Sequence, residues 1–137
     1  MALQKIGVSK MKIKSSERPF YECKVYIGSI DELIKRKIKH TTLTNFIKEF
    51  QDSTDIIIPL RCSKTVFLSG TKYQEKGYEI SAINYPRINS GSAYATAVIK
   101  DFMECLAKRL LTEFNQKRVS VVDRNTVTMY ESEIKYG

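Results

Sequence analysis

The 137-residue sequence has few of the residues that build metal and disulfide sites, with three cysteines, one histidine and no tryptophan. Cys23, Cys62 and Cys105 are odd in number and show no CxxC spacing, and His40 has no second histidine to act with. This pattern argues against a disulfide framework and against a structural zinc site. Each cysteine occupies a position where a small apolar residue would fit, so we predict reduced thiols in the core.

Long hydrophobic runs are also absent. No stretch approaches the roughly 18 consecutive apolar residues of a membrane span, and residues 1–14 lack the apolar segment of a signal peptide. These absences predict a cytoplasmic protein without a membrane partner.

The sequence contains none of the GxxxxGK[ST], GxGxxG, HExxH or GxSxG motifs. His40 has no serine or cysteine partner that the sequence places beside it. Two acidic pairs are compact: Asp31 and Glu32 are explained by a helix cap, and Glu131 and Glu133 share one strand face. A metal-dependent nuclease needs at least two converging carboxylates. We therefore predict a non-enzymatic protein without a cofactor or metal, and keep a small nuclease using Glu131 and Glu133 as a second alternative.

Positive charge is the strongest compositional signal, with a formal net charge of +8. Residues 1–39 hold ten Lys or Arg against four acidic residues, a net charge of +6. A lopsided basic surface attracts polyanions such as nucleic acid, although it also simply keeps a protein in solution. The basic surface predicted here comprises Lys12, Lys14, Arg18, Lys24, Lys35, Arg36, Lys37 and Lys39.

One segment, residues 89–114, has the length and periodicity of a helix. Its apolar residues recur at intervals of three and four and predict one buried stripe, made of Ala95, Val98, Ile99, Phe102, Cys105, Leu106 and Leu110. Arg109 and Glu113 project into the same stripe. They either pair with each other at the rim of the core, or Arg109 lines an anion pocket between sheet and helix.

Two helical regions and six or seven strands are predicted. Residues 3–14 are interpreted as a strand or an extended arm, and residues 20–27 alternate as a half-buried strand. The sequence Ser29-Ile30-Asp31-Glu32 has the form of a capping box and predicts a helix directly after it. A new apolar run from Leu43 to Phe50 predicts a kink or a second helix, with Thr42 or Thr44 as its cap.

The remaining strands are predicted as hairpins. Residues 56–58 form a short strand that Pro59 confines to a sheet edge or a bulge. Residues 65–68 pair with residues 78–85 across a polar loop over residues 71–77. Residues 118–122 and 126–133 form a terminal hairpin. The predicted fold class is thus α+β: a single domain over residues 1–137, with a largely antiparallel sheet of about six or seven short strands and two helical regions packed on it.

A phosphate site is predicted where a strand end leads into the amino terminus of the long helix. Free N–H groups and the positive pole of the helix dipole favour an anion at such a junction, and an ordinary capped connection is the alternative. An aromatic side chain would stack on a base. The predicted ligand-binding residues are Tyr26, Tyr85, Arg87, Ser90, Gly91, Ser92 and Arg109.

The element order helix, three strands, helix in the middle of the chain resembles that of the double-stranded RNA-binding domain. In that family a lysine cluster opens the last helix. Here the sequence SGSAYATA (90–97) occupies this place and the first lysine is Lys100. Subunits that build phage tail and neck rings share the same element order, so we assign no family.

Together these features predict a non-enzymatic binding protein for nucleic acid or a phosphorylated nucleotide. The first alternative is a structural or assembly subunit that forms a homo-oligomer, such as a phage tail or neck ring, in which the strand near Pro59 and the terminal hairpin pair with neighbouring subunits.

Overall fold

The computed structural model describes residues 12–13, 15, 21–56, 58–83 and 96–133. Within them the chain forms seven strands and two helices. The strands are β1 (Glu22–Gly28), β2 (Ile30–Asp31), β3 (Arg36–Lys37), β4 (Leu60–Ser69), β5 (Tyr73–Ile83), β6 (Arg118–Val122) and β7 (Val127–Glu131), and the helices are α1 (His40–Asp52) and α2 (Thr96–Glu113). The predicted α+β class is confirmed.

Five strands form an antiparallel sheet in the order β4-β5-β1-β6-β7, and β2 pairs with β3 as a separate two-stranded ribbon. The central strand β1 confirms the predicted alternation, because Cys23, Val25 and Ile27 are buried while the intervening side chains are half-buried. The terminal hairpin of β6 and β7 is also confirmed.

The hairpin of β4 and β5 is longer than predicted. Its two strands pair over ten residues, from Leu60 opposite Ala82 to Ser69 opposite Tyr73, so the connection shrinks to residues 70–72. The predicted polar loop over residues 71–77 is therefore mostly strand. The predicted edge strand near Pro59 is wrong for the residues described there, since Ile56 and Ile58 lie outside any strand and Ile58 is buried.

The helix predicted after Ser29 does not form. The Asp31 carboxylate accepts hydrogen bonds from the backbone N–H groups of Leu33 (3.0 Å) and Ile34 (3.1 Å), which makes a tight turn between β2 and β3. Side chains of this kind compete with the helix for backbone groups. Asn115 donates to both Asp31 carboxylate oxygens at 3.1 Å and holds the turn from outside.

Helix α1 confirms the helix predicted from the apolar run, with Leu43, Ile47 and Phe50 buried. It begins earlier than predicted: Lys39 occupies the N-cap position and makes no side-chain cap hydrogen bond, so neither Thr42 nor Thr44 serves as the cap.

Helix α2 confirms the described part of the long helix, while residues 89–95 lie outside the described residues. Its buried side differs from the predicted stripe: Met103, Ala107 and Leu111 are buried, whereas Cys105 is exposed. The buried face of α2 is therefore rotated about the helix axis relative to the predicted apolar stripe. The expectation that all three cysteines lie in the core is wrong for Cys105.

The core lies between one face of the sheet and the helices. Side chains of α2 pack on the inward residues of β1, β5 and β6. Helix α1 contacts α2 through the edge-to-face pair of Phe50 with Phe102, and Phe46 makes a second such pair with Phe114, the residue that follows α2. The described part of the chain contains no helix long and apolar enough to cross a membrane.

Only β4 and β5 separate α1 from α2, so the three-strand order that resembled an RNA-binding domain is not present in the described residues.

Candidate functional site

Among the described residues, no helix covers one face of the sheet. Side chains alternate along each strand, so the face opposite α2 carries a second set of residues from all five strands. Its central members are Lys24, Tyr26, Phe67, Glu75, Gly77, Glu79, Arg118, Ser120, Val127 and Met129. We call this surface the open face.

A groove runs along one end of the open face. It consists of three adjoining cavities of about 450, 340 and 210 Å³, and Gly28 and Glu75 line all three. The largest cavity is lined on one side by Tyr26 and Phe67 and on the other by Val127 and Met129. Its volume lies within the range of small-molecule sites.

Two aromatic rings form one wall of the groove. Tyr26 and Phe67 meet edge to face, with centroids 5.3 Å apart and planes at 73°. Phe67 is 45% exposed although it is a large apolar side chain. Burial, together with the nearby Glu79 carboxylate, raises the pKa of Tyr26 above its ordinary value, so its hydroxyl stays neutral. This wall offers a flat apolar surface to a ring.

Carboxylates and cations stand beside the aromatic wall. Lys24 lies 3.1 Å from Glu79 and 3.7 Å from Glu22, and its hydrogen bond to Glu79 raises the pKa of Lys24. Glu75 accepts a hydrogen bond of 3.0 Å from the Tyr73 hydroxyl, which raises the pKa of that tyrosine. No Lys or Arg side chain of the described residues lies within 4.0 Å of the Glu75 carboxylate.

The floor of the groove depends on a close backbone approach. Gly77 lies opposite Gly28 on the neighbouring strand, and a Cβ atom at Gly77 would stand 2.2 Å from the Ile27 carbonyl oxygen. The side chain of Gln116 then holds the end of β1, because its Oε1 accepts from the Gly28 N–H (2.9 Å) and its Nε2 donates to the Ile30 carbonyl (2.9 Å).

The ligand-binding residues predicted from the sequence are not all described. Tyr26 lines the groove. Arg109 is exposed, with its guanidinium 5.7 Å from the centroid of the Phe46 ring, and it does not line the groove. The other predicted residues lie outside the described residues: Tyr85, Arg87, Ser90, Gly91 and Ser92.

The basic residues predicted as one surface are divided among several environments. Lys24 is paired on the open face, and Lys35 pairs with Glu32 at 3.3 Å. Lys37 and Lys39 line a separate cavity near the start of α1. The remaining described residues, Lys12 and Arg36, are exposed, while Lys14 and Arg18 lie outside the described residues.

Sequence reasoning missed most of the groove. Four residues that line the groove were not predicted from the sequence, although each lies on the outward side of a strand: Phe67, Glu75, Arg118 and Met129. The available signal was strand alternation, and it does not reveal which strands are neighbours. Their convergence requires β1 to lie between β5 and β6, a pairing that no local pattern encodes.

Other reactive groups of the described residues are poorly placed for chemistry. Burial raises the pKa values of Cys23 and Cys62 to about 11, so both thiols stay protonated near neutral pH. Within the described ranges no group of three or more His, Cys, Asp or Glu side chains is arranged to hold a metal ion. Glu131 and Glu133, the carboxylates considered for a nuclease, are exposed.

No known protein family and no curated protein matches the chain in sequence. Two solved structures share the fold. A phage SAM lyase in complex with S-methyl-5'-thioadenosine superposes with a TM-score of 0.64 at 12% identity, covering 89% of this chain and 97% of that chain. A phage SAM lyase in the apo state superposes with a TM-score of 0.63 at 14% identity, covering 90% and 99%.

This likeness overturns the predicted function. Both structures that share the fold are of an enzyme, so the prediction of a non-enzymatic binding protein is wrong, and its assembly-subunit and nuclease alternatives are not retained. The predicted partner, nucleic acid or a phosphorylated nucleotide, is wrong for a related reason, because the ligand bound in one structure is a nucleoside thioether without phosphate. The comparison lends no support to the predicted homo-oligomer.

Proposed function

We propose that the protein is a lyase that cleaves S-adenosylmethionine in the groove of the open face and releases S-methyl-5'-thioadenosine. The observation that carries the proposal is the fold shared with the phage SAM lyase over 89% of this chain and 97% of that chain. The proposal takes residues 1–137 as one domain. It also places the enzyme in the cytoplasm, where its substrate occurs, and makes a phage origin the natural one.

The reaction breaks one bond. S-Methyl-5'-thioadenosine is what remains when the sulfonium loses its aminobutyrate chain, so the carbon–sulfur bond to that chain breaks and both electrons stay on sulfur. The four-carbon fragment leaves without added water, either by closing on its own carboxylate or by losing a proton. Neither route consumes a cofactor, since no electrons leave the substrate.

The groove matches the parts of this substrate. The wall of Tyr26 and Phe67 receives the adenine ring, since aromatic faces stack on bases at a gain of about 1–3 kcal/mol each. Glu75 binds the substrate ammonium, and Arg118 pairs with the substrate carboxylate. Tyr26 is the residue predicted from the sequence that this assignment retains.

The apolar side of the groove suits the chemistry. The bound substrate carries a positive sulfonium, and this charge disappears as the bond breaks. A carboxylate against the sulfur would stabilise the ground state more than the transition state and so slow the reaction. Val127 and Met129, which offer no fixed charge, therefore form the surface against the sulfonium.

The first prediction tests the activity and the role of Glu75. Purified protein incubated with S-adenosylmethionine should release S-methyl-5'-thioadenosine, detected by liquid chromatography and mass spectrometry. Glu75→Gln should lower kcat/KM by about 10–100-fold, because a hydrogen bond to a charged group contributes about 1.5–3 kcal/mol. Glu49→Gln is the matched control, since Glu49 is exposed on α1 in the other layer of the protein. Absence of the thioether product over the range of pH and salt in which the protein is folded would refute the proposal.

A further inference from the structure

A second cavity lies on the opposite side of the β4–β5 hairpin from the groove. It measures about 560 Å³ and is formed by β3, the start of α1, β4 and β5. Lys64, Val66 and Lys76 project into it from the hairpin, on the side of the sheet that faces the helices but beyond the edge of the core. We call it the lysine pocket.

The floor of the lysine pocket is apolar and includes two buried side chains. Ile38 and Tyr78 are buried, and the Tyr78 hydroxyl donates a hydrogen bond of 2.6 Å to the Ile38 carbonyl oxygen. The His40 ring lies 5.9 Å from the Tyr78 ring, and its Nε2 is 3.1 Å from the Cys62 carbonyl oxygen. Val66, which is 48% exposed, completes this surface.

The rim carries charge of a single sign. Four lysines line the pocket, Lys37, Lys39, Lys64 and Lys76, and the described part of the lining contains no Asp or Glu. Among the described residues no carboxylate lies within 4.0 Å of these four amines, whereas Lys35 and Lys100 each have one and Lys24 has two. Like charges that converge around a cavity repel one another, and an anion inside it relieves that repulsion.

We propose that the lysine pocket binds a small organic anion that has an apolar body and two or more carboxylate groups. The cavity volume is that of a small-molecule site. The apolar floor can contact a ring or hydrocarbon body, and the separated lysines can pair with carboxylates at different positions around that body. The substrate of the proposed lyase reaction is a cation at neutral pH, so this rim disfavours it. The pocket is therefore a separate site, and its assignment does not depend on the proposed function.

Isothermal titration calorimetry of the full chain with benzene-1,3,5-tricarboxylate at low ionic strength tests this inference. We expect one saturable site with a dissociation constant below about 1 mM. The double variant Lys37→Gln with Lys64→Gln should weaken binding by about tenfold or more, as expected when charge-assisted contacts are lost. Lys48→Gln with Lys72→Gln removes the same charge away from the pocket and should change the affinity by less than about twofold, because salt screens distant charges. Lys76 is left intact because it also lines the groove.

Three outcomes would overturn the inference: no saturable binding, an equal loss of affinity in both double variants, or inorganic sulfate binding as tightly as the tricarboxylate. Circular dichroism checks that the variants fold. If the pocket double variant does not fold, Val66→Asp provides the test, because it places a negative charge on a half-exposed position of the floor. It should abolish binding of the tricarboxylate, and unchanged binding would contradict the assignment.

Discussion

Asp123 shows how one side chain joins the helix layer to the wall of the groove. Its carboxylate accepts hydrogen bonds from the backbone N–H groups of Asn125 (2.9 Å) and Thr126 (2.8 Å) in the turn between β6 and β7. Lys100 of α2 lies 3.2 Å away, and the Asp123 side chain is only 6% exposed. These donors hold the pKa of Asp123 well below its ordinary value. The turn carries β7, whose Val127 and Met129 line the groove.

The second prediction follows from this lowered pKa. A carboxyl group whose pKa is lower in the folded state stabilises the fold above its unfolded pKa of about 3.9, and this contribution is lost as the pH falls below that value. Asp123→Asn should lower the free energy of unfolding at pH 7 by about 1–3 kcal/mol. It should also make the loss of stability below pH 4 shallower. Urea unfolding at pH 7 and at pH 3 measures both effects, with Asp101→Asn, exposed on α2, as the control. An unchanged acid dependence would contradict this account.

The third prediction concerns Gly77, where the backbone of β5 passes close to β1. Gly77→Ala would place a methyl group 2.2 Å from the Ile27 carbonyl oxygen, a backbone atom that moves only if the strand moves. We expect a loss of about 1–3 kcal/mol in the free energy of unfolding, the usual cost of overpacking. Gln74→Ala, an exposed change on the same strand, should stay within about 0.5 kcal/mol. Equal stabilities of the two variants in urea unfolding would show that the strands separate easily.

At the scale of elements, prediction from the sequence succeeded for segments with a long, regular hydrophobic pattern. It failed where a contact with a residue far away in the chain determines the local conformation. The alternation of β1, the terminal hairpin and the described part of α2 were all predicted, because each carries several turns or pairs of one pattern. The segment after Ser29 has equally good helix signals. In this segment Asp31 accepts a hydrogen bond from Asn115, which is 84 positions away. This tertiary contact outweighs the local helix propensity.

The turn between β2 and β3 supplies the fourth prediction. A helix over residues 30–39 would bury Leu33 and Ile34, but they are 62% and 58% exposed. Leu33→Ser with Ile34→Ser should therefore change the free energy of unfolding by less than about 1 kcal/mol in total, as surface substitutions do. Leu43→Ala, in the buried stripe of α1, should cost about 2–5 kcal/mol. A large loss for the serine pair would restore the helical interpretation of this segment.

The candidate site was less predictable than the fold, because it depends on which strands are neighbours in the sheet. Tyr26 was singled out from its place among basic residues, but the groove also needs Phe67 from β4, Glu75 from β5 and Met129 from β7. Each of these strands was predicted in part. The order β4-β5-β1-β6-β7 inserts β1 between two hairpins that follow it in the chain, and hairpin patterns alone do not specify that insertion.

At the scale of the whole molecule, the net charge of +8 conceals two different surfaces. The groove combines the Glu75 carboxylate with Arg118 and an apolar wall, whereas the charged residues in the described lining of the lysine pocket, on the other side of the hairpin, are all lysines. The positive net charge of the sequence led to the prediction of a polyanionic ligand. A net charge adds the charges of both surfaces together and does not show how they are distributed. The distribution of charge instead separates a groove of mixed charge, where we propose that the cationic substrate binds, from a pocket that we propose for an anion.

The fifth prediction uses salt to separate the two surfaces and rests on the proposed function. S-Methyl-5'-thioadenosine is uncharged at neutral pH, so its dissociation constant should change by less than about twofold between 50 and 300 mM NaCl, because screening acts on charge–charge attraction. Binding of benzene-1,3,5-tricarboxylate should weaken by about tenfold over the same range, since its affinity depends on the lysine rim. Calorimetric titrations of both ligands into one preparation make the comparison. If binding of the thioether weakened as steeply as that of the tricarboxylate, it would not be held by the aromatic and apolar walls of the groove, and the assignment of the groove would fail.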